Sequence, residues 1–347
     1  MKIVMTLVVR DEADILDAQI AFHLHAGVDF VLASDNGSED GTVEILERYE
    51  RAGVLGLTHV GSGPIRQDEW VTRMARTAAS DLGADWVLNS DADEFWWPRG
   101  GSLKELLAAV PTRYGVVRAC WRHFLPHPNE SSPFYERMTA RLRTPTSPGD
   151  KGSIYHVHQK IAHRADPDVT VAFGNHTAHG EGLEPLRGWH PIEILHFSYR
   201  TFEQMERKSR FARGFPPSLV TPDRFAMWEA EREGRLREYF DSFVVREEDV
   251  GREVAAGRVA LDTRLRDVLR DLRGDDGAFR LPEKGATTLS FPRPEVADDG
   301  VYAAETALLA DIDAAVRAGQ RVAAFERRLE RLERGSLSRL RHRLAPR

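Results

Sequence analysis

The 347 residues include 41% hydrophobic and 29% charged side chains, a globular composition that excludes a fibrous repeat or a chain disordered throughout. Lys and Arg number 48 against 54 Asp and Glu, and the formal charge of −6 lacks the basic footprint of a dedicated nucleic-acid binder. The one cysteine, Cys120, excludes an internal disulfide and a cysteine-built zinc site, and no apolar run approaches the ~18 residues of a membrane span.

Ile3–Val9 is a short apolar run rich in β-branched residues, read as a buried first strand rather than a signal peptide because no small-residue cleavage site follows. Ile15, Ala18, Phe22 and Ala26 then recur at helical spacing, and Gly27 stands where such a helix stops. Residues 30–34 form a second strand that runs into the turn chemistry of Asp35-Asn36-Gly37-Ser38. A helix from Thr42 to Arg51, a strand near residues 57–60, a helix over 67–82 and a strand over 86–89 follow. Ser102 and Glu105 make a capping-box pattern, and residues 116–121 read as a further strand. Strands separated by helices imply right-handed βαβ units, a mainly parallel sheet, and ligands at the carboxyl ends of its strands. Asp35 and Asp91 both fall just past predicted strands and therefore on one rim.

From about residue 126 to 191 the abundance of Pro, Gly, His and Asn predicts loops and short antiparallel strands forming one wall of a site. Residues 192–199 read as a strand, and Thr201 with Gln204 opens a helix carrying Met205 and Lys208. Beyond about residue 245 the chain turns Arg-rich and helical. Residues 317–347 hold ten arginines and three glutamates, with Val322, Phe325, Leu329 and Leu332 on one helical stripe. That tail reads as a helix packed on the protein or self-associating, or as a basic amphipathic helix on an anionic membrane.

The strongest local signal is Asp91-Ala92-Asp93-Glu94-Phe95 at the end of an apolar strand. Two carboxylates separated by alanine can share one hard divalent cation, Mg²⁺ or Mn²⁺, and through it a diphosphate. Asp166-Pro167-Asp168 and Asp311-Ile312-Asp313 have no such setting. A haloacid-dehalogenase-type phosphatase also places such a pair after a strand, but after the first one and with Thr or Val where Phe95 stands. Nucleotidyl transfer would want a Gly-rich basic loop after the first strand, and Arg10-Asp11-Glu12-Ala13 is none.

Three segments together resemble family 2 glycosyltransferases of the GT-A type. Asp35-Asn36-Gly37-Ser38-Glu39-Asp40-Gly41-Thr42 looks like the D-N-G-S-x-D-G-T segment of that family, and Val9-Arg10-Asp11-Glu12 resembles its V-x-R-N-E segment, with Asp11 where Asn is usual. Asp85-Trp86 through Phe95 resembles the D-W-V-x-x-x-D-A-D-E-F signature of one subgroup. The likeness covers roughly residues 1–125 and, for that subgroup, extends to about Ser209.

The resemblance implies a GT-A-like (Rossmann-like) α/β domain over residues 1–245, a mainly parallel sheet flanked by helices; the chain's own pattern adds a helical region over 246–347, which has no counterpart in that likeness. It implies metal-dependent, inverting chemistry in which a sugar passes from a nucleotide diphosphosugar, a UDP-sugar first, to a hydroxyl of a glycan, lipid-linked or small-molecule acceptor. Asp91 and Asp93 would hold the metal with His196 or His176, and the donor would lie against Val9, Arg10, Glu12, Asp35, Asn36, Arg66, Gln67, Asp91, Ala92, Lys160, Arg200 and Lys208. Asp93 and, as general base, Glu181 would be catalytic, with Asp168 and Glu193 behind Glu181; Trp96 and Trp97 would stack on sugar faces. The expected setting is cytoplasmic, at most peripheral to the inner membrane face. The rival reading is a scaffold that keeps the fold without turnover and acts through its C-terminal helices.

Overall fold

The computed structural model describes residues 1–61, 65–143, 159–187, 189–212 and 222–293. The chain divides into two compact units, Met1–Pro294 and Glu295–Arg347. The second, with the expected amphipathic tail, lies outside the described residues.

The first unit alternates strands and helices: β1 (Ile3–Val9), α1 (Ala13–Ala26), β2 (Phe30–Asp35), α2 (Thr42–Arg51), β3 (Leu55–His59), α3 (Gln67–Ser80), β4 (Trp86–Ser90), β5 (Glu94–Pro98), α4 (Leu103–Ala108) and β6 (Val116–His123). Shorter pieces follow: α5 (Phe134–Arg137), β7 (Ala140–Leu142), β8 (Gln159–Arg164), β9 (Thr170–Val171), β10 (Ala178–His179) and β11 (Ile192–His196). The last described elements are α6 (Phe202–Ala212), α7 (Pro222–Arg232), α8 (Leu236–Asp241), α9 (Glu247–Ala255), β12 (Val259–Leu261) and α10 (Arg264–Leu272).

Among the described residues, eight strands form one sheet in the order β3-β2-β1-β4-β8-β6-β11-β5. β3, β2, β1 and β4 run parallel, as do β6 and β11, whereas β8 and β5 enter antiparallel. The expected α/β architecture with a mainly parallel sheet is therefore present. Short antiparallel strands stand within 126–191 as expected, β8 and the β9–β10 pair among them, and β8 inserts between β4 and β6 in the middle of the sheet.

A short connection dictates the curl of this sheet. Only Asp91-Ala92-Asp93 separate β4 from β5, a reach of at most about 14 Å. In a flat sheet the four strand steps between them would span about 19 Å. The sheet must curl to bring the far edge back to β4, and the turn that spans the gap is the acidic motif itself.

Local chemistry explains the flanking helices. Gly27 ends α1 in the left-handed region at φ 112° and donates its N–H to the last carbonyls. Ser102 and Glu105 close the expected capping box at α4. Leu265, Leu269 and Leu272 of α10 are buried, and β12 pairs with β7. The segment after residue 245 thus returns to the first unit.

Candidate active site

The carboxyl ends of β1, β2, β4, β6 and β11, and the amino end of the antiparallel β8, lie on one rim. That geometry brings together Glu12, Asp35, Asp91, Asp93, Glu94, His123, Lys160 and His196. Asp93, Glu94 and His196 each offer a ligand atom within 4.8 Å of the others, and all three are buried. Two carboxylates and one imidazole are donors that Mn²⁺ or Mg²⁺ accepts.

Asp91 takes a different place from the one expected. Its carboxylate accepts from Gln67 Nε2 at 3.1 Å, Asn175 Nδ2 at 3.3 Å and the Lys160 ammonium. The second carboxylate of the cluster is instead Glu94, which sequence reasoning passed over although it adjoins the motif. Glu94 is fully buried, accepts from Trp121 Nε1 at 2.7 Å and from the backbone N–H of Asp91 at 3.0 Å, and lies 3.4 Å from Lys160 Nζ. Burial, reinforced by the charges of Asp91 and Asp93, pushes its carboxyl up to about 8 against the pull of Lys160.

Asp93 sits 2.8 Å from Lys208 Nζ and 3.6 Å from His196 Nε2. Burial alone would raise its carboxyl, but the Lys208 ammonium and then His196 outweigh it and hold Asp93 well below the usual range. Burial lowers His196 from its ordinary value against the opposing pull of Asp93. Its ring is stacked on Trp121, with centroids 4.2 Å apart. Lys208 also reaches Glu12 at 3.3 Å and the Ser198 carbonyl at 3.1 Å.

Arg200 is fully buried and acts as a strut rather than a phosphate contact. It donates to Asp14 through Nε and Nη2, to Glu12 through Nη2 and to the Phe197 carbonyl through Nη1. Glu12 also accepts from Gln204 Nε2 at 3.2 Å. Loop, strand end and α6 are tied together by these two residues.

Asp35, at the end of β2, accepts from the backbone N–H groups of Gly37 and Ser38 and lies 3.6 Å from His59 Nδ1. Asn36 donates to the Gly61 carbonyl, and its buried Oδ1 has no partner among the described residues. Val9 stands opposite Asp35 in the sheet register, Arg10 lies 3.7 Å from Asp11, and Ala92 is buried in the turn. Arg66 is exposed and paired with Glu69.

Other expected residues lie elsewhere. His176 is held through Nδ1 by the Gln159 carbonyl and stands edge-on to Trp121, outside the Asp93–Glu94–His196 cluster. Glu181 is exposed, and its neighbour Gly182 abuts Gly115 beside the amino end of β6, the end opposite His123. Asp168 contacts α3 through its carbonyl, which Arg76 approaches. Glu193 points to the other face of β11 from His196, where Arg264, Arg122 and Arg99 share its carboxylate. Burial would raise Glu193, but these guanidinium groups hold it well below its ordinary value. Trp96 and Trp97 correct the sugar-stacking expectation: both are core residues, Trp96 bonded to Ser90 and Trp97 packed on Phe22 and Phe291. The aromatic beside the cluster is Trp121, which alternation along β6 brings to the same face as His123.

No family model matches the chain. Two glycosyltransferase-like proteins of Arabidopsis thaliana are similar to it, at 28% identity over 187 residues and 26% over 153 residues. The matches take in 46% and 38% of this chain but 34% and 33% of the relatives, so the chain spans about a third of their length. Among solved structures, S. aureus TarS matches over 72% of this chain and 77% of its own, at 13% identity and a TM-score of 0.32. TarS in complex with UDP-GlcNAc matches over 70% and 74%, at 13% identity and a TM-score of 0.34. Among the described residues no helix is long and apolar enough to cross a membrane.

Proposed function

We propose that the protein is a metal-dependent glycosyltransferase that moves a sugar from a nucleoside diphosphate sugar to an acceptor hydroxyl. The observation that carries this reading is the buried Asp93–Glu94–His196 cluster on the carboxyl rim, with the Lys160 and Lys208 ammonium groups beside its carboxylates. The similarity to glycosyltransferase-like proteins supports it. A divalent cation held by Asp93, Glu94 and His196 supplies Lewis-acid neutralisation of the departing diphosphate.

The chain's own residues do the remaining work in this reading. Lys208 exchanges Asp93 for a phosphate oxygen, and Lys160 keeps Asp91 oriented toward the ribose by a charge-assisted bond. Arg200 fixes Glu12 and Asp14. Asp35 and the Oδ1 of Asn36, which has no partner among the described residues, offer acceptors where a uracil N–H or ribose hydroxyl would sit, which favours UDP as carrier. Transfer with inversion, a hexosyl group and a glycan or polysaccharide product complete the proposal, with a glycan, lipid-linked or small-molecule acceptor. Glu181, remote from the rim, has no part in it. Peripheral membrane contact or self-association would fall to the tail beyond the described residues.

Release of UDP from a panel of UDP-hexoses, with and without Mn²⁺, tests the reading. It expects metal-dependent release that falls at least about 100-fold in Asp93→Ala and in His196→Ala. Release that ignores both metal and substitutions would overturn it.

A further inference from the structure

β6 and β11 run parallel and in a register that sets His123 directly opposite His196 at the rim. Both rings are buried and on the same sheet face, and their Nδ1 atoms lie 3.1 Å apart. Two neutral imidazole nitrogens at that distance share one proton: one donates an N–H and the other accepts with its lone pair. Stacking on Trp121 fixes the plane of His196 and leaves its other nitrogen, Nε2, facing Asp93 Oδ1 at 3.6 Å.

The two tautomers are therefore locked to each other. With a proton on His196 Nε2, facing the Asp93 carboxylate, His196 Nδ1 must accept and His123 must carry its proton on Nδ1. With a lone pair on His196 Nε2, His196 Nδ1–H donates and His123 must present the lone pair at Nδ1.

We propose that His123 is a positioning residue for the divalent cation, accepting the Nδ1 proton of His196 and so presenting the His196 Nε2 lone pair beside Asp93 and Glu94. The inference rests on the reading of those three residues as the cation site. The pair carries two protons before and after: the shared proton passes from His123 Nδ1 to His196 Nδ1, His196 releases its Nε2 proton to water, and His123 takes one from water at Nε2. A metal-ligating histidine usually donates its second N–H to a carboxylate, carbonyl or water. An imidazole acceptor does the same without adding a further negative charge to a cluster that already holds two carboxylates.

Two measurements on the full chain test the role. In the first, Mn²⁺ is titrated calorimetrically into wild type, His123→Leu and His123→Asn, with thermal unfolding in the absence of metal reporting the fold separately. The leucine variant is expected to bind Mn²⁺ about 10–100-fold more weakly. The asparagine variant, whose Oδ1 offers an acceptor close to the position of Nδ1, recovers most of that loss. In the second, ring-nitrogen NMR of histidine-labelled protein during Mg²⁺ titration is expected to show the N–H of His196 moving from Nε2 to Nδ1 and that of His123 from Nδ1 to Nε2. Equal Mn²⁺ affinity in wild type and His123→Leu, equal losses in the two variants, or unmoved tautomers would overturn the role of His123 alone. A wild type that binds no divalent cation would remove the cation site and this inference with it.

Discussion

His23 shows how a residue remote from the rim sets the acidic turn. It is fully buried on α1, with Nδ1 2.7 Å from the Gln19 carbonyl and Nε2 3.1 Å from the backbone N–H of Trp96. Those partners require a neutral ring that donates through Nδ1 and accepts at Nε2, and they fasten β5 two residues beyond Glu94. Burial lowers His23 to about 4. A depressed histidine contributes stability that is present above the unfolded value of 6.5 and is lost as pH falls toward 4. In His23→Gln, denaturant unfolding between pH 7 and 4.5 is expected to lose up to roughly 3 kcal/mol of this pH dependence. An unchanged pH slope would contradict the assignment. At the same scale, Asp93 was legible in sequence because a DxD after a buried strand implies a cation. Glu94, Trp121 and His123 were not, because only the curl of the sheet and the β6–β11 register turn them toward that motif.

Elements were readable where one period ran unbroken. Thr42–Arg51 is helical over the span its pattern predicts, and α1 stops at Gly27 as expected. Gly27→Ala is expected to cost about 1–2 kcal/mol, because its φ of 112° disfavours a side chain. An added Cβ would also lie 3.1 Å from Thr287 Oγ1. Unchanged chemical denaturation of this variant would refute the strain. β5 and β8 were less legible for physical reasons. β5 follows the acidic motif without a turn residue to announce it, and its Trp96 and Trp97 suit a sugar platform as well as a core. β8, Gln159–Arg164, carries Lys160 and His163 in a polar run whose burial depends on neighbours distant in sequence.

At the scale of the whole molecule, the return of the chain after residue 245 completes the first unit. α10 buries three leucines, and Arg264 at its start reaches Glu193 at 2.7 Å. Burying each leucine contributes roughly 1.5–3 kcal/mol, against a total stability of about 5–15 kcal/mol. A chain ending at residue 245 is therefore expected to lose cooperative unfolding in calorimetry, whereas one ending at Pro294 keeps it. A cooperative transition in the shorter chain would show that the division proposed from sequence at 245 marks an independent fold.

In the proposed reading, Asp93, Glu94 and His196 join a divalent cation to a nucleoside diphosphate. Calorimetric titration of UDP with and without Mn²⁺, on wild type and Asp93→Ala, tests it most directly. Binding is expected to require Mn²⁺ in wild type and to disappear in the variant. UDP binding that is indifferent to both Mn²⁺ and Asp93, or no UDP binding at all, would contradict it.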